Sequence, residues 1–390
     1  MRKEKIEMMS ENGKKILFMA SDNDMASGAF RSMTKLCELL QSEFGYFPIV
    51  VLPTDGDGEI LLDEVSIEHI KIRAYNWVIP LDYQWTLINR IKYILKKILN
   101  RYAVHKVINV LKKEKIDIIH INTTYSYIGA LAAKKIGIPC IWHLREILED
   151  QSRQIWNVKD VGLINSVSKV VAISDYVYKK YQRVISSQKL VMVPNGIEEH
   201  DFYFERKKND SIVIEFVCVG GLYEWKGQKY IIRACDKILK KGLTNFHVRF
   251  VGKGYMLEEY EHMVQELGLK NYISFCGAHK DVLPFYKQAD VMIMSSKEEA
   301  FGRTTVEAMM AGCAVIGAES GATPEILNYG KCGYLFGNEN YQDLADKMEY
   351  VLNNKDELFE MAQRGQKYAL ENFTAKLNAK RIAELYKTIE

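Results

Sequence analysis

The stretch Glu299-Ala-Phe-Gly-Arg-Thr-Thr-Val-Glu307-Ala-Met-Met-Ala-Gly312 stands four residues beyond the apolar run Val291-Met-Ile-Met294. An apolar strand, a glycine-containing turn and a helix in that order form a βα unit of an open sheet, whose ligands sit outside the carboxyl ends of its strands. Glu299 lies before the helix and Glu307 inside it. Unpaired N–H groups of a helix's first turn, with its dipole, suit a diphosphate. An ionised carboxylate has only acceptors and suits the paired hydroxyls of a ribose or hexose. Diphosphate and diols together describe an activated sugar. The same residues also fit a plain capping box, with Thr304 accepting from the Glu307 N–H and Glu307 reaching back. Glu299 has no such local use, although a solvated loop carboxylate fits it too.

Working outward, strand-like runs alternate with helical patterns, which reads as repeated βαβ and parallel sheets. The first half carries Ile16–Met19, Ile49–Leu52, Ile116–Ile121, Cys140–Trp142, Val170–Ile173 and Leu190–Val193. A second series restarts at Ile212–Val219 and continues through Val248–Val251, Ile273–Cys276, Val291–Met294 and Ala314–Ile316. Between them the polar segment 195–210, opened by the turn signal Pro194-Asn195-Gly196, reads as a linker. The division expected is residues 1–194, the linker 195–210, a second domain 211–372 and a closing helix 373–390 that packs back on the first domain.

Composition agrees. With 390 residues the chain exceeds one ordinary core, so two domains of about 190 residues are the starting expectation. Hydrophobic content of 48% and charged content of 26% are those of a globular protein. The polar start, Met1 to Lys15, lacks a signal-peptide core, and no run of 18 uncharged apolar residues occurs. Seven cysteines form no Cys-x-x-Cys pair, which points to reduced core thiols and a cytoplasmic setting. Residues 1–190 hold 28 Lys+Arg against 21 Asp+Glu, or +7, and the remainder 25 against 29, or −4. The segment Arg90 to Lys115, with nine basic residues and one acid, accounts for that excess.

Further turns follow other strands of the second series. Val219-Gly-Gly221-Leu-Tyr-Glu-Trp-Lys226-Gly227 opens a helix, and Lys226 is a point charge suited to phosphate. Val251-Gly-Lys-Gly254, Phe275-Cys-Gly277 and Gly321-Ala-Thr-Pro-Glu325 complete the row. Taken singly these turns are common; several on one sheet edge point to a ligand.

In this order the motifs resemble the retaining glycosyltransferases of family 4, across nearly the whole chain. The Glu-x7-Glu element is the most specific part, supported by Gly-x-Leu-x3-Lys-Gly and Pro194-Asn195-Gly196-Ile197. The resemblance implies a GT-B architecture, with two Rossmann-like doubly wound α/β domains facing across a cleft. It implies a retaining, metal-independent transfer from a UDP- or GDP-sugar to an acceptor hydroxyl in bacterial surface polysaccharide or glycolipid assembly. Lys226 would bind the diphosphate, Glu307 the ribose and Glu299 the transferred sugar. The amides of Phe301, Gly302, Arg303 and Thr304 would cradle phosphate and sugar oxygens. Gly28, after the first strand, would approach phosphate, and His143 would hydrogen-bond the sugar or reacting centre. Neither cofactor nor metal is expected. Where the family usually has arginine the chain has Gly221, and Arg303 is a substitute to consider; Ala322 likewise replaces a second glycine after Gly321. An epimerase or phosphorylase of the same fold, and a degenerate transferase serving as a complex partner, are the alternatives.

Outside the resemblance, Leu87, Ile88, Ile91, Ile94, Leu95, Ile98, Leu99 and Tyr102 recur at helical spacing, with Arg90, Lys92, Lys96, Lys97 and Arg101 off the stripe. The plain expectation is a surface helix whose apolar face packs on its own domain. The sharper one is an anionic membrane surface met through 87–115, placing the protein at the inner face of the plasma membrane. Aromatic interleaving is slight, so nucleic acid is not expected. Acceptor choice is assigned to loops such as 150–160, and Arg145 and Glu146 are placed near the acceptor by position alone.

Overall fold

The computed structural model describes residues 13–80, 83–148, 154–155, 161–208 and 211–389. The chain forms two compact units, Met1–Gly196 with Ala375–Glu390, and Ile197–Thr374.

The N-terminal unit is built on seven parallel strands, in spatial order Glu68–Lys71, Phe47–Leu52, Lys15–Met19, Ile118–Ile121, Cys140–Leu144, Lys169–Ala172 and Leu190–Met192. Their central members are apolar runs because helices cover the sheet's faces. The helix Ala375–Lys387 packs on the helix Gly28–Phe44, and Ala379, Ile382 and Tyr386 join Phe18, Phe30 and Val50 in one core cluster.

The C-terminal unit has six parallel strands, ordered Ile273–Phe275, Phe246–Val251, Ile214–Val219, Val291–Met294, Ala314–Ala318 and Tyr334–Phe336. In order of appearance this is third, second, first, fourth, fifth, sixth, the doubly wound order of dinucleotide-binding sheets. Two short edge strands, Glu68–Lys71 and Tyr334–Phe336, have no counterpart among the apolar runs read from sequence. The segment 195–210, expected to be a linker, carries structure at its start: Ile197 bridges to Thr374 and Glu199–Phe202 is a helical turn. Among the described residues no helix is long and apolar enough to cross a membrane.

The closing helix should be a working part of the N-terminal core. Ile382 is fully buried, so Ile382→Ala should cost about 2–5 kcal/mol. Calorimetry should then show the melting temperature lowered by roughly 2–4 °C for each kcal/mol. An unchanged transition would separate this helix from that core.

Candidate active site

In the C-terminal sheet the strand order reverses between Ile214–Val219 and Val291–Met294, and loops leaving two such strands diverge to open a crevice. Lys226 rides the loop after the first of these strands, ending a short 3-10 turn, and Glu299 rides the loop after the second. Their side chains meet, Lys226 Nζ donating to Glu299 Oε1 at 2.5 Å. The loops are also stitched through the backbone. The Ser295 hydroxyl donates to the Lys226 carbonyl at 2.8 Å, and the Lys297 N–H to the Trp225 carbonyl at 2.8 Å. Gly227 sits at φ +71°, where a Cβ would come 2.1 Å from the Ser295 carbonyl oxygen. Only glycine lets the two loops approach this closely.

A third loop closes on Glu299. Ala322 N–H donates to the Glu299 carbonyl at 2.9 Å, so alanine where the family has glycine still supplies its amide. Gly321 lies at φ +56°, and a Cβ there would be 2.4 Å from the Glu299 nitrogen.

The helix Arg303–Met310 starts from Gly302, which caps it in the left-handed region at φ +78° with no side-chain cap bond. The capping-box reading therefore fails. Thr304 lies inside the helix and the Glu307 carboxylate goes elsewhere. Arg303 Nη2 donates to Glu307 Oε1 at 3.4 Å, and Tyr286 Oη lies 3.4 Å from Glu307 Oε2 and 3.3 Å from the Thr304 carbonyl. Burial, then the Glu307 charge, holds the Tyr286 phenol well above its ordinary pKa, so it stays a donor. Arg303 thus braces Glu307. Phe301 is buried against Phe373.

At Gly221 the Tyr223 ring takes the space a side chain would need, 2.4 Å from an added Cβ. That ring stacks on Trp225 at 4.8 Å between centroids and also touches Tyr255 at 5.4 Å. An aromatic shelf replaces the arginine expected there.

In the N-terminal unit Gly28 is the first residue of its helix, with the Ser27 hydroxyl accepting from Phe30 N–H at 3.4 Å. His143 lies inside the strand Cys140–Leu144, fully buried. Its Nδ1 is 3.1 Å from His120 Nε2, and His120 Nδ1 is 2.7 Å from the Tyr386 hydroxyl. A phenol donating to His120 fixes a proton on His120 Nε2, which donates to His143 Nδ1 and leaves the His143 proton on Nε2. His143 would then present an N–H, held in place by a residue of the closing helix. Burial, reinforced by the Arg145 charge, drives both imidazoles well below the usual pKa, so both are neutral. Arg145 and Glu146, placed near the acceptor by position, are turned inward. Arg145 donates to Asn122 and Asn195 at 2.6 Å each, and Glu146 accepts from Thr124 N–H at 2.7 Å and from both threonine hydroxyls, Thr123 and Thr124. Residues 150–153 and 156–160 of the acceptor loop lie outside the described residues.

Two family models match in tandem: "Glycosyltransferase Family 4" over residues 26–201 and "Glycosyl transferases group 1" over 199–370. The chain belongs to the group 1 glycosyltransferases. An uncharacterised glycosyltransferase of Methanocaldococcus jannaschii is 24% identical over 80% of this chain and 88% of that protein. The N-acetyl-alpha-D-glucosaminyl L-malate synthase of Bacillus anthracis is 22% identical over 73% and 77%. Among solved structures, HepE of Anabaena in complex with UDP and glucose matches with TM-score 0.76 and 20% identity over 96% of this chain and all of that one. A glycosyltransferase from Rickettsia africae matches with TM-score 0.78 and 21% identity over 97% and 99%. At these identities the structural likeness is one of GT-B fold.

The sequence reading of this glycosyltransferase passed over two Asp-x-Asp steps, Asp22-Asn-Asp24 and Asp55-Gly-Asp57. Three of their carboxylates serve as turn acceptors. Asp22 takes the Asp24 N–H and the Ser21 and Ser27 hydroxyls, Asp24 takes Ala26 N–H, and Asp57 takes Met25 N–H. Among the described residues the trio whose ligand atoms could converge on an ion is Glu198, His200 and Asp201. It is outside the donor loops.

Two predictions follow from this geometry. Gly321→Ala forces a Cβ into the Glu299 backbone and strains the chain by roughly 1–2 kcal/mol. The variant should stay folded but bind UDP, used as the probe, more weakly than the native chain in calorimetry; equal affinity would show that the Glu299 loop does not position ligand. The second concerns pH. His120 and His143 stay neutral when folded but protonate when unfolded, so the unfolded state binds more protons as pH falls below about 6.5. Stability should drop by up to about 1.4 kcal/mol per pH unit for each histidine. Glu146, whose folded pKa burial raises, opposes this, being stabilising at low pH and less so as pH rises through its folded value. Melts between pH 7.5 and 5 should therefore fall less steeply in His120→Gln than in the native chain, and equal slopes would refute the buried neutral pair.

Proposed function

We propose that this glycosyltransferase moves a sugar from a nucleoside-diphosphate sugar, with uridine the favoured base, to an acceptor hydroxyl in polysaccharide or glycolipid assembly. The observation that carries the reading is the Lys226–Glu299 pair set across the crevice where the strand order reverses. Without ligand the carboxylate holds the ammonium ready. An arriving diphosphate takes Lys226, and Glu299 is released to the hydroxyls of the transferred sugar. The amides from Phe301 to Thr304, opened by Gly302, receive phosphate and sugar oxygens, and Glu307, braced by Arg303 and Tyr286, takes the ribose diol. HepE, crystallised with UDP and glucose, lends support to uridine.

The bond from the anomeric carbon to the diphosphate oxygen breaks while that carbon bonds the acceptor oxygen on the same face. The acceptor proton passes to the departing phosphate, so configuration is retained. Charge developing on the diphosphate meets Lys226 and fixed backbone dipoles, a kind of preorganised stabilisation worth about 3–4 kcal/mol per donor. On that account no divalent ion is needed.

A thermal-shift panel should show stabilisation by UDP and by a UDP-sugar, near 2.7 kcal/mol at about 100 times the dissociation constant. Lys226→Ala should lower turnover about 10²–10³-fold with the melting temperature kept, EDTA should leave the rate intact, and product NMR should report the retained anomer. Near-native turnover in Lys226→Ala would remove the reading's central charge. Absence of stabilisation by any nucleotide would instead favour a non-catalytic member of the family.

A further inference from the structure

We infer that the first four turns of the helix Leu87–Lys113 are a docking surface for an anionic lipid bilayer. The plain expectation, an apolar face packed on its own domain, fails. The eight residues of the Leu87-to-Tyr102 stripe are 45–75% exposed. What the helix does bury is a different set near its other end, Asn100, Ala103, Val104, Val107 and Leu111, against the helix Ile128–Ile136. At about 100° per residue the stripe spans an arc of about 140°. Lys92 and Lys96 border one edge, and Arg90, Lys97 and Arg101 the other. The helix contains eight Lys+Arg and no Asp or Glu.

The segment holds its shape without the stripe. Thr86 caps it by accepting from Asn89 N–H at 3.2 Å, Asn89 Nδ2 donates to the Gln84 carbonyl at 2.8 Å, and Tyr83 donates to the Asn89 carbonyl at 3.0 Å. Trp85 packs edge-on against Tyr83 and Tyr93 at 4.9 and 5.3 Å. Asn100 then clamps the Tyr75 backbone through both of its amide atoms, at 2.9 and 2.8 Å. A helix braced in this way, with a continuous apolar face on show, marks an interaction surface rather than a misplaced core.

Charge selects the occupant. A bilayer interface accepts an apolar arc to the depth of its headgroup boundary while basic side chains on both flanks reach up to anionic headgroups. A second copy docking by two-fold symmetry would set each copy's lysines and arginines against the other's. The helix would lie along the surface, since its stripe is one-sided. Docking itself does not depend on the transferase reading; its consequence, that the acceptor is carried in the same membrane, does.

Vesicle co-sedimentation of the full chain tests this. The protein should bind vesicles of phosphatidylcholine mixed with phosphatidylglycerol at least tenfold more tightly than phosphatidylcholine alone. The preference should disappear as salt rises from about 0.01 to 1 M, where the screening length shrinks from about 30 to 3 Å. Ile91→Ser with Ile94→Ser and Ile98→Ser should weaken binding to the mixed vesicles at least tenfold. Lys92→Glu with Lys96→Glu and Arg101→Glu should erase the preference for anionic lipid. Stabilisation by UDP should be the same in both variants as in the native chain, which shows them folded and reports on the donor site separately. Binding that survives the serine substitutions overturns the inference, as does a failure of the native chain to bind mixed vesicles. If the serine variant instead converts a dimer to a monomer in light scattering, the face is an interface between copies. Duplex DNA that the serine variant still binds and that displaces vesicles would make the surface a nucleic-acid site.

Discussion

The reversal of strand order in the C-terminal sheet is the constraint from which the candidate site follows. Parallel strands need crossover helices, and a sheet wound in both directions from its middle leaves one pair of neighbouring strands whose outgoing loops part. Here that pair is Ile214–Val219 and Val291–Met294, and the loops do not part completely. An ammonium on one and a carboxylate on the other meet at 2.5 Å, and two backbone-directed bonds hold the loops on either side of that contact. An ion pair this exposed to replacement is poor cement, since partly solvated pairs contribute little to stability. Its value, on the proposed function, lies in holding two opposite charges at one place until the diphosphate and the sugar of the donor each take one of them.

Three glycines around this pair act for separate reasons. Gly227 permits the two loops to touch, Gly302 turns the chain so that the helix amides begin where the Glu299 loop ends, and Gly321 lets a third loop lie against the Glu299 backbone. All three have φ in the left-handed region, at +71°, +78° and +56°. The position where the family has arginine is also occupied, by an aromatic ring rather than a charge. Tyr223 fills that space and stacks on Trp225, so restoring arginine at Gly221 would require the shelf to move. The departure at Gly221 is therefore a local repacking, built into its neighbours.

Much of this was legible from sequence, because apolar runs and turn residues are local signals. The buried strands, the glycine turns and the Glu299–Glu307 element all announce themselves within a dozen residues. The edge strand Glu68–Lys71 was not legible, because half of its residues are charged and it is buried on neither side. The capping-box alternative has the right letters and fails only because the backbone at Gly302 places the N-cap two residues before Thr304. The His143–His120–Tyr386 chain was invisible for another reason. It depends on parallel register between two strands and on Tyr386, more than 240 residues away in sequence from either histidine, and no local pattern encodes such a meeting. Arg145 and Glu146, placed near the acceptor by position alone, instead spend their side chains on partners within their own unit, Arg145 on Asn122 and Asn195 and Glu146 on Thr123 and Thr124.

The helix Leu87–Lys113 shows where periodicity stops informing. A 3.6-residue apolar repeat states that one face prefers to leave water, not what it meets. Here the chain carries two apolar faces on one helix, out of phase with each other. The later one, around Val104, Val107 and Leu111, meets the domain, and the earlier one, from Leu87 to Tyr102, stays largely exposed. Because the two faces are distinct, the domain's own packing is complete without the first. An unused apolar face would ordinarily be blunted by acidic or mixed charge to keep the protein from associating. This one is bordered by basic residues alone, a choice that leaves solubility to repulsion between like surfaces while keeping attraction for anionic ones.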